Sequence, residues 1–205
     1  MALTDKLTAI ANAIRAKTGG TDTLTLDEMA LEIGNIGGSA ENALIDGSIA
    51  EYSNETVENV RSYAISQCRQ LTKLVLPAVK TTSLHSISNC TALTSVEAPL
   101  LETVGAYAFY NDTALPYIDL PSVTFIGASG FAACAALTTV TIHSVAVCTL
   151  ENTSAFGSTP IANGTGYVYV PDNLVESYKA ATNWVTYAAQ IKGLSELPEE
   201  VTTNV

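Results

Sequence analysis

Four leucines, Leu71, Leu93, Leu115 and Leu137, recur at a constant interval of 22 residues, and their neighbours keep the same register. Leu74, Val96, Ile118 and Val140 form one column, and Leu76, Ala98, Leu120 and Ile142 form the next. Pro77, Pro99 and Pro121 follow, with His143 in the fourth place; Val79, Leu101, Val123 and Val145 come after them. Ile65, Ile87, Phe109 and Phe131 supply a bulky residue on the opposite side. A weaker copy precedes these, with Ile49, Tyr52 and Val57 in register and Asn54 in an otherwise apolar column. The pattern reads as uninterrupted from Ile49 to Val145. A unit this short cannot bury its own apolar face, so the copies must stack and share one continuous core.

Within each unit the L-T-x-L-x-L-P stretch reads as a short strand. Leu74 and Leu76 face the core while Lys73 and Val75 face outward, following the two-residue alternation of a pleated strand. Proline, which lacks an N–H, closes the strand. The A-I-x-x-C or A-F-x-x-C segment reads as a turn or short helix across the back. Successive strands should stack about 4.8 Å apart as a parallel ladder.

The units "YAISQCRQLTKLVLPAV", "HSISNCTALTSVEAPLL", "YAFYNDTALPYIDLPSV" and "GFAACAALTTVTIHSV" resemble the BspA-like branch of leucine-rich-repeat proteins. The expected fold class is an α/β repeat: a leucine-rich-repeat solenoid with an N-terminal helical hairpin and a C-terminal strand-helix cap. The family resemblance implies adhesion, host binding or assembly rather than one activity.

The expected division is a helical module over residues 1–38, the solenoid over 39–150, a cap over 151–194 and an acidic tail over 195–205. Leu3, Leu7, Ile10 and Ile14 form an apolar helical stripe. Thr25 and Glu28 make a capping box for a second helix, with Leu24 and Met29 as its hydrophobic staple and Ile33 continuing the buried face. The stripe and Met29 and Ile33 are expected to pack on the first repeat, on sister chains or on a docking partner. The segment "LTDKLTAIANAIRAKTGGTDTLTLDEMALEIGNI" resembles the N-terminal module of virion proteins from phages and prophages of Gram-positive bacteria, commonly tail or fibre proteins. At the other end, Tyr167 to Val170 reads as a closing strand and Asn173 to about Ala181 as a helix. Asn183 reads as the cap of a second helix carrying Trp184, Tyr187 and Ile191.

The net charge of −11 repels phosphate backbones, so a nucleic-acid partner is not expected. No apolar run approaches the roughly 18 residues of a membrane span. The N-terminal Met-Ala-Leu-Thr-Asp lacks a basic region followed by an apolar stretch, so no secretory signal is expected. Cys68, Cys90 and Cys134 share one column with Asp112, which reads as small residues packed in a turn and not as a disulfide or metal site. Cys148, which falls 22 residues after Ile126, reads as a buried, inert thiol. His85 shares the column of Tyr63 and Tyr107; neither it nor His143 lies in a recognisable Ser-His-Asp pattern. Glu41, Asp46, Glu51, Glu55 and Glu58 match no calcium loop and read as a solvated acidic face.

The outward strand positions are the candidate partner-binding face: Lys73, Ser95, Tyr117 and Thr139 in one row, Val75, Glu97, Asp119 and Thr141 in the next. Tyr117 among carboxylates and hydroxyls suits a sugar or a peptide strand. The expected function is a non-enzymatic virion structural protein of the tail, baseplate or fibre, assembled in the host cytoplasm and binding host surfaces or other virion proteins without a cofactor. The alternatives are a bacterial cell-surface adhesin and a head decoration or head fibre protein. Expected partners are sister chains in a homo-oligomer, other virion proteins, and a host-surface glycan or protein.

Overall fold

The computed structural model describes residues 49–199. The expected N-terminal helices, including Leu3, Leu7, Ile10, Ile14, Met29 and Ile33, lie outside the described residues, as do Glu41 and Asp46.

Each repeat makes one turn of a three-sided coil. The first side carries β1 (Glu51–Ser53), β3 (Lys73–Val75), β5 (Ser95–Glu97), β7 (Tyr117–Leu120), β9 (Thr139–Ile142) and β11 (Tyr167–Val170). The second carries β2 (Asn59–Val60), β4 (Thr81–Thr82), β6 (Thr103–Val104), β8 (Phe125–Ile126) and β10 (Thr149–Leu150). All pairings are parallel, and those among β1 to β9 keep the 22-residue register, so Lys73 faces Glu51 and Ser95, and Tyr117 faces Thr139. Leu71, Leu93, Leu115 and Leu137 are fully buried, with Leu74, Leu76, Ile118, Leu120, Val140 and Ile142 beside them.

The first-side ladder breaks once, between β5 and β7. Elsewhere a threonine before the strand sends its backbone N–H one rung back: Thr72 to the Ala50 carbonyl at 2.7 Å, Thr94 to Thr72 at 2.9 Å and Thr138 to Pro116 at 3.0 Å. Pro116 takes the threonine's place at the break and has no N–H to give.

The third side is built of turns, without the short helix allowed for from sequence. Two columns per rung adopt positive φ without being glycine: Tyr63, His85, Tyr107 and Ser129, then Gln67, Asn89, Asn111 and Ala133. This backbone aims alternate N–H groups at the next rung, as in Ile65 to Ser86 at 2.7 Å and Gln67 to Ser88 at 2.8 Å. The left-handed residues cost roughly 1–2 kcal/mol each in isolation. Stacking offsets some of that cost, because the His85 ring lies 5.3 Å from Tyr63 and 4.8 Å from Tyr107, nearly parallel to both. Asn111 donates to Asn89 at 2.9 Å in the second column. Inside, Phe109, Phe131 and Phe156 continue the bulky column as a parallel stack.

The repeat register slips earlier than the sequence suggests. Thr149 pairs with Phe125 and Leu150 with Ile126, two residues later than a strict repeat demands. Val145, expected in the buried column of Val79, Leu101 and Val123, is 95% exposed. The inserted residues push it out, and Val147 packs against the core instead. Cys148 is buried, although Leu150 and not Cys148 takes the place beside Ile126.

At the C-terminal end a 3-10 turn at Asp172–Leu174 leads into α1 (Val175–Ala180), followed by a 3-10 segment at Trp184–Gln190 and β12 (Ile191–Gly193), which pairs with β11. Ile191 thus belongs to a strand. Asn183 makes no capping bond; its side-chain amide donates to the carbonyls of Leu150 at 2.7 Å and Glu151 at 3.0 Å. The aromatic residues complete the last rung's hydrogen bonding. Cys148 N–H donates to the Tyr178 hydroxyl at 2.9 Å, the Trp184 indole donates to the Cys148 carbonyl at 2.7 Å, and Tyr187 donates to the Thr153 carbonyl. Backbone groups at the end of a coil otherwise lack partners, which makes these bonds the physical content of the cap.

Candidate functional site

The first side presents its odd strand positions outward. Lys73, Ser95, Tyr117 and Thr139 form one row and Val75, Glu97, Asp119 and Thr141 the second, as the paired registers require. The two halves of this face differ in chemistry. On β3 and β5, Lys73 and Glu97 make an ion pair at 2.5 Å with both side chains about half exposed. The Glu97 carboxylate raises the lysine's proton affinity. Exposed pairs of this kind contribute little to stability.

On β7 and β9 the side chains are linked. The Tyr117 hydroxyl lies 3.1 Å from Thr141 Oγ1. Thr141 donates to Asp119 Oδ1, which also receives His143 Nε2 at 2.9 Å. Thr141, expected to meet a partner directly, is fully covered, so its role is to anchor Tyr117 and Asp119. A tyrosine standing upright on a sheet carries its hydroxyl far above a threonine one rung away. The contact with Thr141 therefore draws the Tyr117 side chain toward β9, and the residue is partly buried. Burial, opposed by the Thr141 bond, pushes its phenol above the ordinary value.

Strand β11 extends the face from the cap with the partly exposed Tyr167, while Tyr169 beside it is buried. Tyr167 is in register with Thr139, and Tyr169 with Thr141 and Lys192. The Lys192 ammonium sits 4.0 Å from the centre of the Tyr167 ring, a cation–π contact. Tyr167, Tyr169, Lys192 and His143 were not among the sequence candidates. The alternation in Tyr167-Val168-Tyr169-Val170 carried a signal for the tyrosines, but the longer spacing from β9 concealed their register.

The order of groups bears on chemistry. A nucleophilic triad places histidine between carboxylate and hydroxyl. Here Asp119 lies between Thr141 and His143, so the carboxylate accepts from both and the imidazole does not reach the hydroxyl as a base. Among the described residues no group of three or more histidine, cysteine or acidic side chains is arranged to hold a metal ion, and no helix is long and apolar enough to cross a membrane. The four cysteines are buried free thiols. Cys90 donates to the Ile65 carbonyl at 3.0 Å and Cys134 to Phe109 at 2.9 Å.

The family described as BspA type leucine rich repeat region matches in six copies over residues 48–164. The chain belongs to this family. Among solved structures, this BspA-type chain is similar to a leucine rich cell surface protein from Faecalibacterium prausnitzii, with 17% identity, a TM-score of 0.45, and coverage of 76% of this chain and 34% of that one. It is also similar to the leucine-rich-repeat protein of T. pallidum, with 20% identity, a TM-score of 0.48, and coverage of 74% and 64%. The BspA-type chain thus spans about a third of the first protein and somewhat under two thirds of the second. No curated protein matches it in sequence.

Proposed function

We propose that this protein is a non-enzymatic adhesin-type recognition protein, displayed at a bacterial cell surface, whose outward strand face holds a partner. The observation that carries the reading is the rigid polar and aromatic assembly Tyr117–Thr141–Asp119–His143 on an exposed sheet. Its bonds cross rungs, so a site of fixed shape is available without a loop to order on binding. Membership of the BspA-type family supports the adhesive role. Fluorescently labelled full-length protein is expected to bind cells or matrix saturably, and Tyr117→Ala is expected to weaken that binding while Lys80→Ala on the second side leaves it unchanged. Equal binding by wild type and Tyr117→Ala would refute this use of the face.

A second reading is favoured by the N-terminal segment alone. Its resemblance to virion modules supports attachment to a phage tail, baseplate, fibre or head through Leu3, Leu7, Ile10, Ile14, Met29 and Ile33. In that setting the full chain should self-associate or enter particles, and Leu7→Asp with Ile10→Asp should abolish this, since a buried unpaired carboxylate is costly. Light scattering and particle incorporation decide it.

A further inference from the structure

Resting on the recognition role of the strand face, we propose that its tyrosine-bearing half, from β7 to β12, binds a neutral linear glycan laid along the solenoid axis. Tyr117 and Tyr167 occupy one row with Thr139 between them. Two rungs separate the backbone positions of the tyrosines by about 9.6 Å at the parallel-strand spacing, on the scale of the advance of two sugar units in an extended, equatorially linked chain. A hydroxyl therefore lies between two aromatic stations that alternate sugars of one chain can reach together.

The side chains suit such a ligand. The Tyr117 ring, tied down by Thr141, offers a flat surface of the kind the C–H face of a pyranose covers. Asp119 and His143 stand beside it, and both of the carboxylate's bonds fall on Oδ1. A carboxylate has lone pairs for further hydroxyl donors, and charge-assisted bonds to it are strong. At the second station the Lys192 ammonium already covers one face of the Tyr167 ring, so this station offers the ammonium as a donor for sugar oxygens and leaves only the ring's other face and edge for contact.

Two observations weigh against other ligand classes on this face. Strands β9 and β11 are paired on both sides, so the only backbone edges of this sheet open to strand addition are those of β7 and β12, away from the row between Tyr117 and Tyr167. The net charge of −11, with Glu97 and Asp119 on the face itself, opposes sulfated, phosphorylated or sialylated chains.

The test is calorimetric titration of the full-length protein with cellohexaose and chitohexaose, alongside heparin as an anionic chain and a proline-free extended peptide. Binding of a neutral hexasaccharide is expected, weakened about tenfold or more by Tyr117→Ala and by Tyr167→Ala, and unchanged by Tyr63→Ala on the third side. Circular dichroism and thermal unfolding check that each variant is folded. Failure of both neutral chains, or neutral binding indifferent to both tyrosines, overturns the proposal. If Tyr117→Ala still abolishes cell binding in that case, the face is a protein-docking surface: recognition stands and the glycan does not. Preference for heparin or the peptide also overturns it.

Discussion

Asp112 occupies a thiol position in the core, and that placement predicts a stability that falls as pH rises. Its carboxyl is fully buried; Oδ1 accepts the Cys90 N–H at 2.7 Å, and Oδ2 has no partner. Burial drives its proton affinity well above that of an ordinary carboxyl, against the lowering effect of the Cys90 bond. The titratable groups facing it are Cys90 and Cys134. Cys90 is pushed up by its side-chain hydrogen bond with Cys68 and by burial, and Cys134 by burial first, so neither supplies a positive counter-charge. The folded chain therefore keeps the proton at pH values where the unfolded chain, with an ordinary carboxyl near 3.8, has lost it. With the unfolded state binding fewer protons, unfolding free energy decreases with pH by about 1.4 kcal/mol per unit. The contribution is fully present below the unfolded value and is lost progressively as pH rises toward the folded one. Asp112→Asn keeps an acceptor for Cys90 and removes the ionisation. Urea midpoints for both proteins, followed from pH 4 upward, should diverge in favour of the variant as pH rises, with a slope of at most about 1.4 kcal/mol per unit between the unfolded and folded values. Asp112→Cys, which returns a thiol to the column, should diverge from wild type in the same direction as pH rises. Parallel pH profiles for wild type and both variants would show that Asp112 is ionised in the folded state or reached by water.

Leu93→Ala should cost about 2–5 kcal/mol by opening a cavity between stacked rungs, whereas Lys73→Ala and Val145→Ala should each stay within about 0.5 kcal/mol in chemical denaturation; a large loss at Val145 would contradict the slipped register. Trp184→Phe leaves the buried Cys148 carbonyl without the indole donor, and thermal unfolding should report a loss of about 1–3 kcal/mol. All four thiols should resist Ellman's reagent in the native protein at pH 8 and react on unfolding, because each is buried and Cys148 is pushed up to about 12 by desolvation; fast native reaction of any one would show that its rung opens.

The sequence by itself determined the coil. A period of 22 with two-residue alternation specifies which side chains face inward, because each unit must bury Leu71, Leu74 and Leu76 or their equivalents against the next. It also placed Lys73, Tyr117 and Thr139 outward, since pleating alone decides that. Pro116 was visible as a proline, but its consequence depends on which carbonyl the missing N–H would have met one rung back. Tertiary structure decided the rest through contacts that local patterns do not encode. The two extra residues before Thr149 are distributed by packing, which expelled Val145 and drew in Val147. Tyr117 is tied to the neighbouring strand because a threonine on the following rung holds its hydroxyl, and that bond spans 24 residues. His85 looked like drift in a tyrosine column until stacking at 4.8 and 5.3 Å gave it a role. Tyr167 and Lys192 joined the face only because the cap returns the chain to the sheet as β11 and β12. Repetition fixes a side chain's direction from its own strand, whereas its partners depend on how neighbouring rungs bring distant residues into reach.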